Sequence, residues 1–139
     1  MIVLDTSGLL AALDRRAPQH LAARRVIETA DSALILSPFV LAELDYLVST
    51  RIGSAAMRPV LRDVADGAYD LVDFAPDDVA SAGAVMERYA DLDIGLTDAS
   101  LVVIAERCGT TTLLTLDERH FRVVKPLSGD AFTLMPVDG

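Results

Sequence analysis

A single cysteine, Cys108, is all the thiol chemistry this chain has, so no internal disulfide forms and a disulfide-stapled fold is excluded. It falls in an apolar helical pattern and reads as a core thiol of a protein kept in reducing, cytoplasmic surroundings. Long apolar runs are missing too. The longest uncharged stretch, Ser32 to Ala42, is broken by Pro38 and falls well short of the roughly 20 residues a membrane helix needs. The start does not read as a secretory leader, since Asp5 interrupts its apolar run and no basic residue precedes it. Repeats, low-complexity tracts and linkers are also lacking. The 139 residues, 52% of them hydrophobic, are therefore read as one domain, 1–139, with enough chain to bury a sizeable core.

Positive charge is scarce. Twelve basic residues face 21 acidic ones, for a net charge of −9, and Lys125 is the only lysine. A basic surface usually drives phosphate binding, so this balance argues at first sight against a nucleic-acid partner. A negative sum can, however, conceal acids that a bound cation neutralises: setting four such acids aside from −9 leaves −5. Weak non-specific binding to RNA or DNA is then expected, with selectivity left to local arginines. Guanidinium groups suit bidentate phosphate contact, although genomic base composition gives the same arginine bias.

What is present is an alternation of β-type and helical runs. Met1 to Leu4 reads as a buried strand, with Asp5 at its end and an apolar helical run, Gly8 to Leu13, directly after. Asp14 to Pro18 is a polar turn, with Pro18 expected as the first residue of a second helix ending near Ala30. Ala33 to Leu36 is a second strand closed by Ser37-Pro38, and a helix from Pro38 to Ser49 follows. A helix over Ser54 to Asp66 has Pro59 as a possible kink. Tyr69 to Phe74 reads as a third strand, Pro76 to Tyr89 as a helix, and Asp91 to Leu96 as a loop. Thr97 to Arg107 is an apolar helix capped by Gly109. Thr111 to Leu116 is a fourth strand, Phe121 to Leu127 a short fifth, and Ala131 to Met135 an edge strand. Strands alternating with helices imply parallel pairing through right-handed crossovers, hence a three-layer α/β/α sandwich around a mostly parallel sheet.

Four acids stand out in this frame. Asp5 and Asp117 each follow a strand, at the carboxyl edge where open parallel sheets place their ligands. Capping explains either one alone: Asp5 as N-cap of the first helix, Asp117 as a turn or cap residue before Glu118. Glu43 shares the apolar stripe of Val40, Leu44, Leu47 and Val48, so its carboxylate faces the core or its rim and needs a partner, an exit to solvent, or a cation. Asp98 lies in the first turn of its helix, on the face of Leu101, Val102 and Ala105, where the helix dipole also favours an acid. Brought to one edge about 5 Å apart, such carboxylates repel by roughly 3 kcal/mol per pair at an effective dielectric near 20. They require a counter-charge. An all-oxygen donor set with no Cys or His beside it favours Mg²⁺ or Mn²⁺ over zinc, and suits water activation in phosphodiester hydrolysis.

DTSGLL with Asp5, AELDYL with Glu43, TDASLVVIA with Asp98 and LLTLDERHF with Asp117 resemble, in order and spacing over nearly the whole chain, the four motifs of PIN-domain nucleases, specifically the VapC toxins of bacterial toxin–antitoxin pairs. The resemblance implies a PIN-like fold and a Mg²⁺- or Mn²⁺-dependent endoribonuclease cutting structured RNA, tRNA or rRNA, to leave a 5′-phosphate. It also implies a VapB-type antitoxin partner and a homodimer. Asp5 and Asp98 would be central metal ligands, Glu43 and Asp117 would complete the site or position water, and Thr6 and Thr115 match supporting hydroxyls. Gly8 stands where alanine is more usual, a departure expected to leave the chemistry untouched.

Other residues carry less. His120 reads as a loop or packing histidine rather than a catalytic base, since metal-bound water needs no imidazole. Arg15 and Arg16, just beyond the first helix, read as a solvated turn near the acidic edge. The VLAELDYLV stripe and the helix from Val79 to Met86 are apolar enough for a dimer or antitoxin groove, yet also fit the core. A signalling receiver domain, invoked by the Lys125-Pro126 pair, fails: it wants paired acids early and a phospho-acceptor after a middle strand, where this chain has one acid and Pro38. A catalytically silent PIN-fold binding module is the remaining alternative, opposed by the intact acids.

Overall fold

In the computed structural model, which describes Met1–Gly139, β1 (Ile2–Leu4) forms the centre of a five-stranded sheet. The order is β3-β2-β1-β4-β5 and every neighbouring pair is parallel, with β2 at Leu34–Leu36, β3 at Asp70–Leu71, β4 at Thr112–Leu114 and β5 at Thr133–Met135. The strands are short runs of two or three residues. Those in the middle are buried on both faces, as parallel strands flanked by helices must be: Val3, Leu4, Ile35, Leu36, Leu113 and Leu114 are at most 2% exposed.

Helices fill every connection. α1 (Thr6–Leu13) and α2 (His20–Thr29) join β1 to β2, α3 (Pro38–Arg51) and α4 (Met57–Ala65) join β2 to β3, and α5 (Pro76–Arg88) and α6 (Leu96–Cys108) return the chain to β4. α1 packs on α2 and α5 on α6, while α3 touches both α1 and α6. The expected α/β/α sandwich is thus observed. α6 is buried almost all round, from Ala99 through Ala105, and Gly109 caps it at φ +67°, a conformation glycine adopts without strain. The chain turns outward from β1 to β2 and β3, then crosses back to β4 on the other side of β1. The order therefore reverses between β1 and β4, the crevice in which doubly wound folds bind their ligands.

Several expected boundaries move. α2 begins at His20 rather than Pro18, because the His20 amide closes a tight turn onto the Ala17 carbonyl before the helical ladder starts. The 54–66 segment opens with a 3₁₀ turn, Ser54–Ala56, and Pro59 sits in the first turn of α4, where its missing N–H costs no hydrogen bond. Of Tyr69 to Phe74 only Asp70–Leu71 pairs, as an edge strand with β2. A further 3₁₀ turn, Ala90–Leu92, occupies part of the loop before α6. The fifth strand expected over Phe121 to Leu127 does not exist. A short helix, α7 (Glu118–Phe121), takes its start, and the amides of Val123 and Val124 both close onto the His120 carbonyl. Phe121 and Val124 are buried three residues apart, a helical spacing that a strand would have split between faces. The Ala131 to Met135 edge strand is real but shorter, as β5 beside β4. Cys108 is half-buried, packed against the core rather than within it.

Gly8, the departure expected to leave the chemistry untouched, has a packing role. A Cβ placed on it would lie 2.5 Å from the carbonyl oxygen of Leu114 and 2.7 Å from its carbon. The glycine is what lets α1 lie against the end of β4, and those two elements carry Asp5 and Asp117 at their edges.

Candidate metal centre

Asp5, Glu43, Asp98 and Asp117, scattered over 113 positions of sequence, line one open cleft of about 530 Å³ together with Thr6, Ser7, Thr97 and His120. Another groove of about 580 Å³, lined by Ile2, Val26, Met135 and Pro136, lies elsewhere and gathers no comparable set of acids.

Asp5 is the most deeply placed, 5% exposed. It is the N-cap of α1, with Oδ1 accepting from the Thr6 amide at 2.8 Å, while Oδ2 accepts from Thr115 Oγ1 at 2.6 Å and Ser7 Oγ at 3.1 Å. Capping and site placement are thus one arrangement. Burial pushes its carboxyl above the usual range, these hydrogen bonds pull the other way, and Asp117 adds repulsion. Thr115 also accepts the Asp117 amide at 2.9 Å, so one hydroxyl ties the ends of β1 and β4 together. Ser7 repeats the tie by accepting the Leu116 amide at 3.0 Å. The Thr6 hydroxyl is buried without a protein partner. Its amide, not its side chain, touches Asp5.

Asp98 enters from the first turn of α6. Two buried serines anchor that turn to the end of β2: Ser37 Oγ lies 3.0 Å from Ser100 Oγ, and Ser100 donates to the Thr97 carbonyl at 2.6 Å. Desolvation, followed by repulsion from Asp5 and Asp117, drives the Asp98 carboxyl up to about 6, against a smaller opposing pull from His120. Glu43 is not inward-facing, as its stripe position allowed, but exposed at the cleft rim, where Thr97 Oγ1 donates to its Oε2 at 3.2 Å. The helical stripe itself is observed, with Val40, Leu44 and Val48 in the core.

Two further side chains line the cleft that the sequence did not place there. Ser7, inside the DTSGLL motif, shows its role only once β4 is folded beside it. His120, read as a packing or loop residue, lines the cleft half-buried, its Nδ1 2.9 Å from Asp117 Oδ2 and 3.6 Å from Asp98 Oδ2. Its place three residues after Asp117, on one turn of helix, was the available signal.

This donor set fits a divalent cation. One atom each from Asp98, Asp117 and His120 lie within 4.8 Å of one another, and after burial the charges of Asp5 and Asp117 raise the Asp98 carboxyl further, a repulsion that a cation would relieve. Hard carboxylate oxygens in an open cleft suit a cation that keeps coordination positions for water.

Residues 2–126 match the PIN domain family. The chain is 44% identical to Ribonuclease VapC26 of Mycobacterium tuberculosis over 135 residues, 97% of this chain and all of that protein. Its fold is similar to the crystal structure of M. tuberculosis VapC20, described as a sarcin–ricin-loop-cleaving toxin (TM-score 0.78, 20% identity, 84% of this chain and 90% of that one). It is also similar to chains of a toxin–antitoxin complex from Klebsiella pneumoniae (TM-score 0.68, 16% identity, 89% and 92%) and of Rickettsia felis VapBC2 bound to a DNA fragment from its promoter (TM-score 0.64, 22% identity, 89% and 93%). With the motif order, the site and these matches in agreement, the chain belongs to the PIN-domain family, as one of its VapC ribonucleases.

Proposed function

We propose that the cleft is the active site of a toxin endoribonuclease that hydrolyses phosphodiester bonds of a structured cellular RNA, with Mg²⁺ or Mn²⁺ held by Asp5, Asp98 and Asp117. The observation that carries this reading is the convergence of four separately placed acids on the sheet's reversal point, with Asp98 raised to about 6 by burial and by their proximity. When bound, a divalent cation supplies an acidified water and charge stabilisation for the phosphate oxygens. Asp5, locked by Thr115, Ser7 and the Thr6 amide, provides a fixed oxygen at the cleft floor. Asp98 and Asp117 approach from α6 and the β4 end and would hold the cation that offsets their repulsion of a scissile phosphate. Glu43, exposed and steadied by Thr97, orients water or accepts its proton at the rim.

The RNA strand leaves the acids along a groove that shares Thr6, Ser7 and Glu43 with the cleft and adds Arg16 and Arg51; Arg15 lies on its continuation. Three arginines there, against Asp14, which pairs with Arg16 at 3.5 Å, leave a local excess of positive charge that the whole chain lacks. A VapB-type antitoxin restrains the enzyme in a homodimeric assembly, a reading supported by the toxin–antitoxin complexes among proteins of the same fold and by the exposed apolar side chains Tyr46 and Leu61 on the neighbouring helices α3 and α4. Incubating the purified protein with total RNA and mapping the new ends tests the reading. Discrete 5′-phosphate ends are expected with Mg²⁺ or Mn²⁺, and none with EDTA or in Asp98→Asn. Ends that form equally in all conditions contradict it.

A further inference from the structure

The chain has two histidines, and the structure separates them. His20 is buried, with Nδ1 2.9 Å from the Ala11 carbonyl oxygen, and it does not line the acidic cleft. His120 does line it, and its Nδ1 points between two carboxylates carried by different elements: 2.9 Å from Asp117 Oδ2 and 3.6 Å from Asp98 Oδ2. Neighbouring donors around an octahedral cation with bonds near 2.1 Å stand about 3 Å apart. The imidazole nitrogen therefore stands at roughly the spacing of a co-ligand from both acids.

Its position is also fixed before any cation arrives. The His120 amide donates to Asp117 Oδ1 at 3.0 Å, and the next residue, Phe121, is buried edge-to-face against Phe132 at 6.1 Å between ring centres. One residue further, Arg122 grips both oxygens of Asp138 at 2.6 and 2.8 Å, tying α7 to the turn after β5.

We infer that His120 is a nitrogen ligand of the cation, sharing it with Asp98 and Asp117, and that it biases the site toward Mn²⁺ over Mg²⁺. The inference rests on the metal-dependent reading of the cleft. In the metal-free protein Nδ1 carries the proton it donates to Asp117 Oδ2 at 2.9 Å; binding a cation releases that proton from Nδ1 and keeps one on Nε2, so that the Nδ1 lone pair turns from the carboxylate hydrogen bond to the cation. Mg²⁺ prefers hard oxygen donors and retains its waters, whereas imidazole binding strengthens along the first-row transition series, so one nitrogen in the donor set favours Mn²⁺. A purely carboxylate centre would carry no such bias.

The competing role is a positioning residue that only hydrogen-bonds Asp117. Loss of His120 would weaken metal binding in either case, so affinity alone does not decide. Electron–nuclear double resonance of Mn²⁺ bound to the full chain, prepared with natural and with ¹⁵N-labelled histidine, reads the ligand directly and needs no variant. A histidine-nitrogen coupling is expected that shifts with the label and vanishes in His120→Gln. The same substitution should lower Mn²⁺ affinity at least tenfold in calorimetry and Mg²⁺ affinity by less than half as much on a logarithmic scale. Bound Mn²⁺ that Asp98→Asn displaces but that shows no histidine coupling overturns the inference while leaving the metal site intact. A coupling that survives in His120→Gln overturns it as well. Failure of the chain to bind Mn²⁺ at all overturns the metal reading and the inference together.

Discussion

Asp98 illustrates what an acid held beside other acids in a cleft costs a fold. Its carboxyl, normally near 3.8, is raised to about 6 chiefly by desolvation and then by its acidic neighbours. The folded protein thus holds a proton that the unfolded chain has released, and the metal-free protein loses stability as pH rises from about 4 to about 6. Asp98→Asn removes the charge, so it should stabilise the metal-free protein at pH 7, by roughly 2–3 kcal/mol at most, while abolishing cleavage. Denaturation curves at pH 4 and pH 7 check this: the wild type should be the less stable protein only at pH 7. Thr115 makes the opposite case. Thr115→Val keeps the shape but strips Asp5 of its shortest hydrogen bond and leaves the Asp117 amide without an acceptor. Metal affinity should fall about 10–100-fold by calorimetry. At this scale the sequence was partly legible. Asp5 and Asp117 stand where strands end, which local pattern reveals. Ser7 with Thr115, and Ser37 with Ser100, are pairings across 108 and 63 positions, and no local pattern encodes them.

Elements were legible where one period dominates and obscure where edges or short segments decide. α6 was recognisable from its apolar run and Gly109, and β2 from its closing Ser37-Pro38. β3 is obscure because an edge strand pairs on one side only, and α7 because its four residues carry little periodicity and run into the β-type pair Val123-Val124. The packing role of Gly8 was not legible, since a close approach to Leu114 is invisible until α1 meets β4. Gly8→Ala should therefore destabilise the protein by about 1–3 kcal/mol, as overpacking does, and lower activity by shifting Asp5 against Asp117. Thermal melts of the variant beside the wild type, with cleavage assayed in parallel, check both losses. The Arg122–Asp138 clamp holds α7 and pulls the Asp138 carboxyl down to about 2. Its contribution is present above pH 3.8 and lost as pH falls through about 2. Asp138→Asn should remove that portion of the acid transition, read by circular dichroism.

At the scale of the whole molecule, topology does what composition conceals. A chain of net charge −9 makes a poor general RNA binder, yet the strand order collects its acids at one crevice and leaves Arg15, Arg16 and Arg51 along the adjoining grooves. Arg16 already donates to the Arg51 carbonyl at 2.7 Å, while Arg15 is exposed, so the patch is part scaffold and part free charge. In an Asp98→Asn background that cannot cut, Arg15→Ala with Arg51→Ala should weaken binding of a single-stranded RNA. The salt dependence of that binding should become shallower by about 0.7 for each phosphate that is no longer neutralised. An unchanged slope would place the strand elsewhere. No helix of the chain is long and apolar enough to cross a membrane.

If the converging acids form one metal-dependent ribonuclease centre, occupancy by the cation and turnover of RNA must rise together. Mn²⁺ is titrated into the wild type and into Asp98→Asn, with binding followed by calorimetry and cleavage of an end-labelled RNA substrate followed in parallel. Binding and cleavage should rise with the same midpoint in the wild type, and both should be lost in Asp98→Asn. Cleavage that persists in EDTA, or that Asp98→Asn supports at the wild-type rate, would contradict the account.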